Sequence, residues 1–236
     1  MQLKVENITK RFGGLTADDD VSIQLEDEAI GLMGPNGSGK STTVNCITGV
    51  HEPEAGSVQF DGQELTGKPI YQYVRAGIAR TFQTPRVFED LSVLENVMVP
   101  LLNAGKSTER AQTNAQEKLQ RVDLTHVQEQ PAKAISGGQK KLLEFARTLT
   151  LDPEIVMLDE PFAGVHPELK TIMREQIDTL RSEGTGFVIV SHEVDSLYNI
   201  SDRVLVLDRG RLIAEGSPQE VQNDDRVVEA YLGGAG

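Results

Sequence analysis

The sequence predicts an α/β fold, a sheet with crossover connections into which a helical lobe is inserted. Three observations carry that prediction. Short apolar runs of strand length, "AIGLM" at 29–33, "IVML" at 155–158 and "GFVIV" at 186–190, recur between segments of helical character. The first run ends in a glycine-rich loop that opens a helix. The stretch 85–151 turns mostly helical and interrupts the alternation.

Taken in order, residues 3–8 and 21–25 alternate apolar and polar like half-buried strands. The run 29–33 is a strand, and 42–48 is a helix that stops at Gly49. Residues 57–60 form a further strand before a turn at Asp61-Gly62. The helical block has polar breaks at 103–108 and 129–131. After Pro153 come the strand "IVML", a helix over 167–181, the strand "GFVIV", and "RVLVLDRGRLIAEG", a hairpin turning at Arg209-Gly210. No internal repeat or low-complexity tract is visible.

The bulk numbers bound the class. A chain of 236 residues can bury a core as one large domain or as a core with an inserted lobe. Its longest uncharged apolar run, around 97–102, is far too short to span a membrane. The N-terminus leads straight into strand-like sequence, so no signal peptide is expected. The single cysteine, Cys46, excludes an internal disulfide and reads as a small buried helix residue in a reducing interior. A net charge of −13 argues against nucleic acid as a partner. A salt-rich cytoplasm and an ordinary acidic cytosolic protein both fit it.

"GPNGSGKS" matches G-x-x-x-x-G-K-[ST] with Gly34, Gly39, Lys40 and Ser41. Glycines let backbone N–H groups wrap phosphates, and the helix that follows turns its positive end toward them. Lys40 is expected to reach the β- and γ-phosphates, and Ser41 to ligate Mg²⁺. In "IVMLDE" the strand would deliver Asp159 and Glu160 to the ligand edge of the sheet. One acid there can hold the metal, directly or through water, and the other can activate the attacking water.

A third stretch, "ISGGQKK", sets bare backbone before the apolar residues Leu142, Leu143, Phe145, Ala146 and Leu149 at helical spacing. By itself it reads as a helix-capping loop. With the phosphate loop and "LDE" it resembles the ATP-binding cassette (ABC) family, and the resemblance runs across the chain: Phe12, "GPNGSGKS", Gln83, "ISGGQKK", "IVMLDEP" and "VSHE". It implies a P-loop NTPase (RecA-like) core with an antiparallel β subdomain and an inserted α-helical subdomain. Residues 1–236 would be one cassette, with 1–83 and 152–236 as the nucleotide-binding core and 84–151 as the signature-bearing lobe.

The resemblance also implies roles. Phe12 would stack on adenine; alone it reads as a strand-end core aromatic. Gly34, Pro35, Asn36, Gly37, Ser38, Gly39, Lys40, Ser41 and Thr42 would bind nucleotide together with Gln83. Ser136, Gly137, Gly138 and Gln139 would face the ATP held by a second subunit. Ser41, Gln83 and Asp159 would manage Mg²⁺, Glu160 would polarise water, and His192 would bond the γ-phosphate. Lys40, Glu160 and His192 are thus the expected catalytic set. The loop after Glu160 departs from the family: His166 in "AGVHP" stands where many members carry an acid.

A narrower resemblance, to the ATPase subunits of branched-chain amino-acid (Liv-type) importers, rests on "RFGGLTA", "GIARTFQTPRVFEDLSVLENV", "LLEFARTL", "AGVHPE" and "VVEAYLGG". It implies a dimer of ATPase subunits, identical or not, at the cytoplasmic face of the membrane. Two permease subunits would hold it there, served by an extracytoplasmic solute-binding protein. Lipopolysaccharide-type export and a non-transport ABC ATPase are the alternatives. A P-loop kinase or GTPase leaves "SGGQ" unexplained, and no N-K-x-D motif is present. Phe88, Leu91 and Leu94 are expected to offer an apolar face for a permease, or else to pack within the lobe.

Overall fold

A computed structural model describes residues 1–233. The chain opens on β1 (Leu3–Phe12) and β2 (Leu15–Leu25), an antiparallel pair, and continues into β3 (Ala29–Met33). Helix α1 (Lys40–Ile47) leads to β4 (Ala55–Phe60), the short β5 (Gln63–Glu64), α2 (Ile70–Ala76) and β6 (Ile78–Arg80). Then come three helices, α3 (Val93–Asn103), α4 (Thr108–Arg121) and α5 (Gly137–Thr148). The chain returns through β7 (Ile155–Asp159), α6 (Pro167–Ser182), β8 (Gly186–Val190) and α7 (Val194–Ile200). It ends with β9 (Arg203–Asp208), β10 (Arg211–Gly216), α8 (Pro218–Gln222) and α9 (Asp225–Gly233).

Two sheets result. One is antiparallel, in the order β2-β1-β4-β5. The other runs β10-β9-β3-β8-β7-β6 and is parallel except for β10, which returns along β9. β3 lies between β8 and β9, so the chain crosses over it to reach the far side.

The apolar runs are buried on both faces because each face meets a different core. Ile30, Leu32, Ile155, Met157, Val188 and Leu205 face a cluster shared with α1 and the antiparallel sheet. Their neighbours Met33, Val156, Leu158, Phe187, Ile189 and Val204 face a second cluster shared with the helical lobe, α6 and α7. A period of two within wholly apolar strands thus separates two cores.

The expected strands at 3–8 and 21–25 are longer than the alternation indicates. β1 and β2 run on through polar residues to a tight turn at Gly13-Gly14, and their register shifts between Val5 and Ile8 and again near Lys10. Such bulges break the period of two that the reading relied on. The elements α2, β6 and α7 were not expected. α2 has seven residues, four of them aromatic or β-branched, and is fixed by an extended N-cap at Pro69 and a left-handed C-cap at Gly77. Cys46 is buried in α1, as expected.

Candidate nucleotide site

The site begins at the C-terminal ends of β3, β7 and β8, which the register holds level: Leu32 pairs Val190, and Val190 pairs Asp159. The loop after β3 needs its first glycine. At Gly34 φ is +148°, and a Cβ there would stand 2.0 Å from the Leu207 carbonyl oxygen. Lys40 opens α1 and its Nζ donates back to the carbonyls of Gly34 (2.8 Å) and Pro35 (2.9 Å). Burial pushes the ammonium below its usual range, while the carboxylates of Glu160 and Asp159 pull it back up.

At the end of β7, the Asp159 carboxylate stands 3.9 Å from the Arg80 guanidinium. Burial raises its pKa against the pull of Arg80, Lys141 and His192. Glu160 adopts a left-handed backbone, φ +50°, uncommon for a residue with a side chain. Two bonds hold it there. Its N–H donates to Val190 (2.9 Å), and its carbonyl accepts from Lys141 Nζ on α5 (2.5 Å). Its carboxyl is also raised by burial. Its Oε1 is buried and takes no hydrogen bond, with His192 Nε2 3.4 Å away.

These groups share one cavity of about 570 Å³, lined by Phe12, Asn36, Gly37, Ser38, Gly39, Lys40, Ser41, Thr42, Gln83, Asp159, Glu160 and His192. Phe12 is not a core aromatic. It is 45% exposed at the end of β1, with its ring edge-on to His51 at 5.3 Å. Gly34 is buried beneath the loop, and Pro35 faces a neighbouring groove that also runs past α9. A larger depression, about 820 Å³, lies against Lys4, Glu6, Arg203 and Glu215. It has a lysine and acids but no glycine loop opening a helix, so size does not mark the site.

Ser136, Gly137, Gly138 and Gln139 do not line this cavity. They start α5. Ser136 Oγ accepts from the Gln139 N–H (3.2 Å) and Gln139 Oε1 accepts from the Ser136 N–H (2.9 Å), a reciprocal capping box. The plain capping reading therefore holds, and the cap still leaves the Gly137 and Gly138 amides without intrahelical acceptors, Gly137 exposed and Gly138 buried against Leu169 and Val165. His166 is the N-cap residue of α6, but its side chain makes no capping bond; it is exposed, with Nδ1 3.9 Å from Glu168.

The apolar trio splits. Leu94 is buried in the lobe core with Val93, Val97 and Leu101 and cannot join an outward face. The apolar side of α3 includes Leu94 because these residues recur at helical spacing. Leu91 is half-buried, and Phe88, ahead of the helix, is half exposed beneath the Arg147 guanidinium.

The sequence reading missed Arg80, Lys141, Glu144 and the buried Asp18 beside the loop. Glu144 alone left a trace: an acid between Leu143 and Phe145 inside an apolar helical run.

A glycine loop at the switch of a parallel sheet, with two acids at the end of a strand two places away, defines a P-loop nucleoside-triphosphatase. The chain belongs to the ABC transporter family, whose model matches residues 19–163. A second model, described as branched-chain amino acid ATP-binding cassette transporter, matches 211–236, of which 234–236 lie outside the described residues. Among curated relatives, the high-affinity branched-chain amino acid transport ATP-binding protein LivG of Salmonella typhimurium is 37% identical over 99% of this chain and 98% of its own. BraF of Pseudomonas aeruginosa, of the same description, is 34% identical over the same shares. Among solved structures, a nucleotide-free ATP-binding cassette from an ABC transporter superposes with a TM-score of 0.89 at 35% identity, covering 98% of this chain and 99% of that one. A dimeric cassette in a post-hydrolysis state, bound to ADP and Pi, gives 0.84 at 26% identity over 92% and 98%. The chain is accordingly an ATP-hydrolysing cassette.

Proposed function

We propose that the chain powers an importer of branched-chain amino acids or related small solutes. It would act as one of two ATPase subunits, held by two permease subunits to the cytoplasmic face of the membrane and served by an extracytoplasmic binding protein. The observation that carries the reading is the gathering of Lys40, Ser41, Gln83, Asp159, Glu160 and His192 around one cavity, with the "SGGQ" turn outside it. A signature that does not reach its own cavity has a use if it serves a second copy's nucleotide. The solute class rests on relatives described as branched-chain amino acid transport proteins. None of the described helices is long and apolar enough to cross a membrane, so permease subunits would supply the path.

The residues fit the work. Loop amides and the N-terminus of α1 present positive charge to the phosphates. Lys40 exchanges the carbonyls of Gly34 and Pro35 for phosphate oxygens, and Phe12 offers an exposed ring to adenine. The Ser41 hydroxyl, the Gln83 amide and the Asp159 carboxylate are hard oxygen donors with a single charge among them. That set suits Mg²⁺, which keeps phosphate and water ligands and needs few from protein. Among the described residues no cluster of three acidic, histidine or cysteine side chains could hold an ion without the nucleotide. When bound, Mg²⁺ offsets charge on the phosphoryl oxygens.

Glu160 takes a proton from the attacking water as the new O–P bond forms and the bond to the β-phosphate oxygen breaks, releasing ADP and phosphate. Burial keeps its carboxyl above the ordinary range, which suits a base at neutral pH. His192 Nε2 stands 3.4 Å from that carboxyl, where it would orient it and bond the γ-phosphate. Residues 84–151 form the lobe that brings Ser136 to the partner's nucleotide.

The test is reconstitution with permease subunits and a solute-binding protein of a branched-chain amino-acid importer. Leucine-loaded binding protein should raise ATP hydrolysis in proteoliposomes, and Glu160→Gln should abolish the rise. Hydrolysis indifferent to every branched-chain amino acid would overturn the solute class, and failure to join any permease would overturn the transport role.

A further inference from the structure

Helix α5 carries a buried carboxylate that neither capping nor core packing explains. Glu144 is 2% exposed, flanked in sequence by Leu143 and Phe145. Burying an ionisable group is costly, and a helix that needed only to pack would be served better by leucine. The bonds of Glu144 show what it holds. Its Oε2 accepts from the Phe82 N–H (3.2 Å) and its Oε1 from the Arg86 N–H (2.8 Å). Gln83 lies between these two anchor points.

One more residue on the same face of α5 grips the same segment. Arg147 donates to the Arg86 carbonyl and stands 3.9 Å from Glu144. The single proton of Thr148 Oγ1 goes to the Glu144 carbonyl within the helix (2.8 Å), so Thr148 only packs against the Arg80 carbonyl (3.4 Å). Positions 144, 147 and 148 lie together on a helix surface. Their opposite side, Leu142, Leu143, Phe145, Ala146 and Leu149, is lobe core. The helix therefore has one face for its own lobe and another for the loop that carries Gln83. That loop belongs to no strand or helix, so its amides have no ladder to fall back on.

We propose that Glu144 is a positioning residue for Gln83, clamping the Gln83 loop to the signature helix so that the two move as one body. α5 begins at the Ser136 cap, eight residues before Glu144, and a helix transmits displacement rigidly over about 12 Å. A shift that carries Ser136 toward the partner's nucleotide then carries Gln83 with it, relative to Asp159 and Ser41 on the sheet. The consequence for turnover rests on the roles given above to Gln83 and the signature; the clamp itself does not.

Hydrogen exchange on the nucleotide-free, full-length chain tests the clamp. Glu144→Gln keeps the size but sets an NH₂ against one of the two amides. Exchange across 82–86 should rise about tenfold, the value of roughly one net hydrogen bond, while α3 and β7 stay as in wild type. Arg147→Gln, which leaves the buried position intact, should raise exchange in the same peptide and covers the case of a Glu144 variant that does not fold. A steady-state double-mutant cycle tests the consequence. Glu144→Gln should lower kcat with KM for ATP within about twofold, and should add nothing in a Gln83→Ala background. Unchanged exchange at 82–86 in both variants overturns the clamp. Additive losses with Gln83→Ala overturn positioning through Gln83. A Gln83→Ala chain with normal turnover would instead sink the role given to Gln83, leaving exchange to decide whether Glu144 holds the loop.

Discussion

Replacing Asp18 with asparagine should stabilise the protein, and more so as pH rises. Asp18 is wholly buried on β2, where Oδ1 accepts from Thr43 Oγ1 (2.9 Å) and Oδ2 has no partner. Burial pushes its pKa from 3.8 up to about 6, with the Thr43 bond pulling the other way. The folded chain therefore holds this proton more tightly than the unfolded chain. The stabilisation that protonation supplies is full below about 3.8, declines through the window between the two values, and is gone above about 6. Over the whole window it is worth up to ~3 kcal/mol. About half of that, ~1.4 kcal/mol, is lost between pH 5 and 8. Asparagine keeps the acceptor for Thr43 and never ionises, so the variant escapes the loss. Cys46, close by, is pushed up to about 12 and stays neutral throughout. Glu144, Asp159 and Glu160 are also raised, but they titrate alike in both proteins and cancel in the difference. Urea unfolding at pH 5, 6, 7 and 8 should show the Asp18→Asn advantage widening by ~1.4 kcal/mol, or roughly 3–6 °C in Tm. An advantage that stays constant across this range would refute the picture of a buried acid whose pKa the fold raises.

Glu160→Gln should slow ATP turnover by ~10²–10⁴ while ATP still binds, and ATP should then hold the chain as a dimer in light scattering. A strict monomer at saturating ATP counts against the shared site. Leu94→Asp should cost more than about 3 kcal/mol by burying an unpaired charge, whereas Phe88→Asp should stay within about 0.5 kcal/mol of wild type and release the chain from membranes with ATP affinity intact. Equal losses of stability in urea melts would mean that Phe88 is core after all. In the assembled transporter, His166→Ala should lower ATP turnover, because this exposed residue at the start of α6 is expected to meet the partner subunit. Unchanged turnover would make His166 a solvent-facing cap residue and nothing more.

Much of the site could be read from the sequence because its chemistry is local. "GPNGSGKS" needs consecutive residues to wrap one ligand, and the structure forms that loop between β3 and α1. "IVMLDE" works because a buried strand delivers its last residues to the sheet edge, which an apolar run followed by acids announces. The hairpin at Arg209-Gly210 was legible for the same reason: its turn and both strands lie within fourteen residues. What the tertiary structure alone decided involves partners far apart in the chain. That Glu144 serves Phe82 and Arg86, about sixty residues earlier, is invisible to periodicity, which marks the acid only as out of place. That Lys141 holds the carbonyl of Glu160, and that Asp18 lies buried beside the loop it never touches in sequence, follow from how α5 and β2 pack. Leu94 and Phe88 look alike as apolar residues six apart, yet one is core and the other is not, because helical rotation begins only at Val93. Sequence fixes contacts a few residues long, where backbone geometry limits the outcomes to a small menu. Pairings across the fold depend on which surfaces meet when two cores close around one sheet, and no local pattern records that.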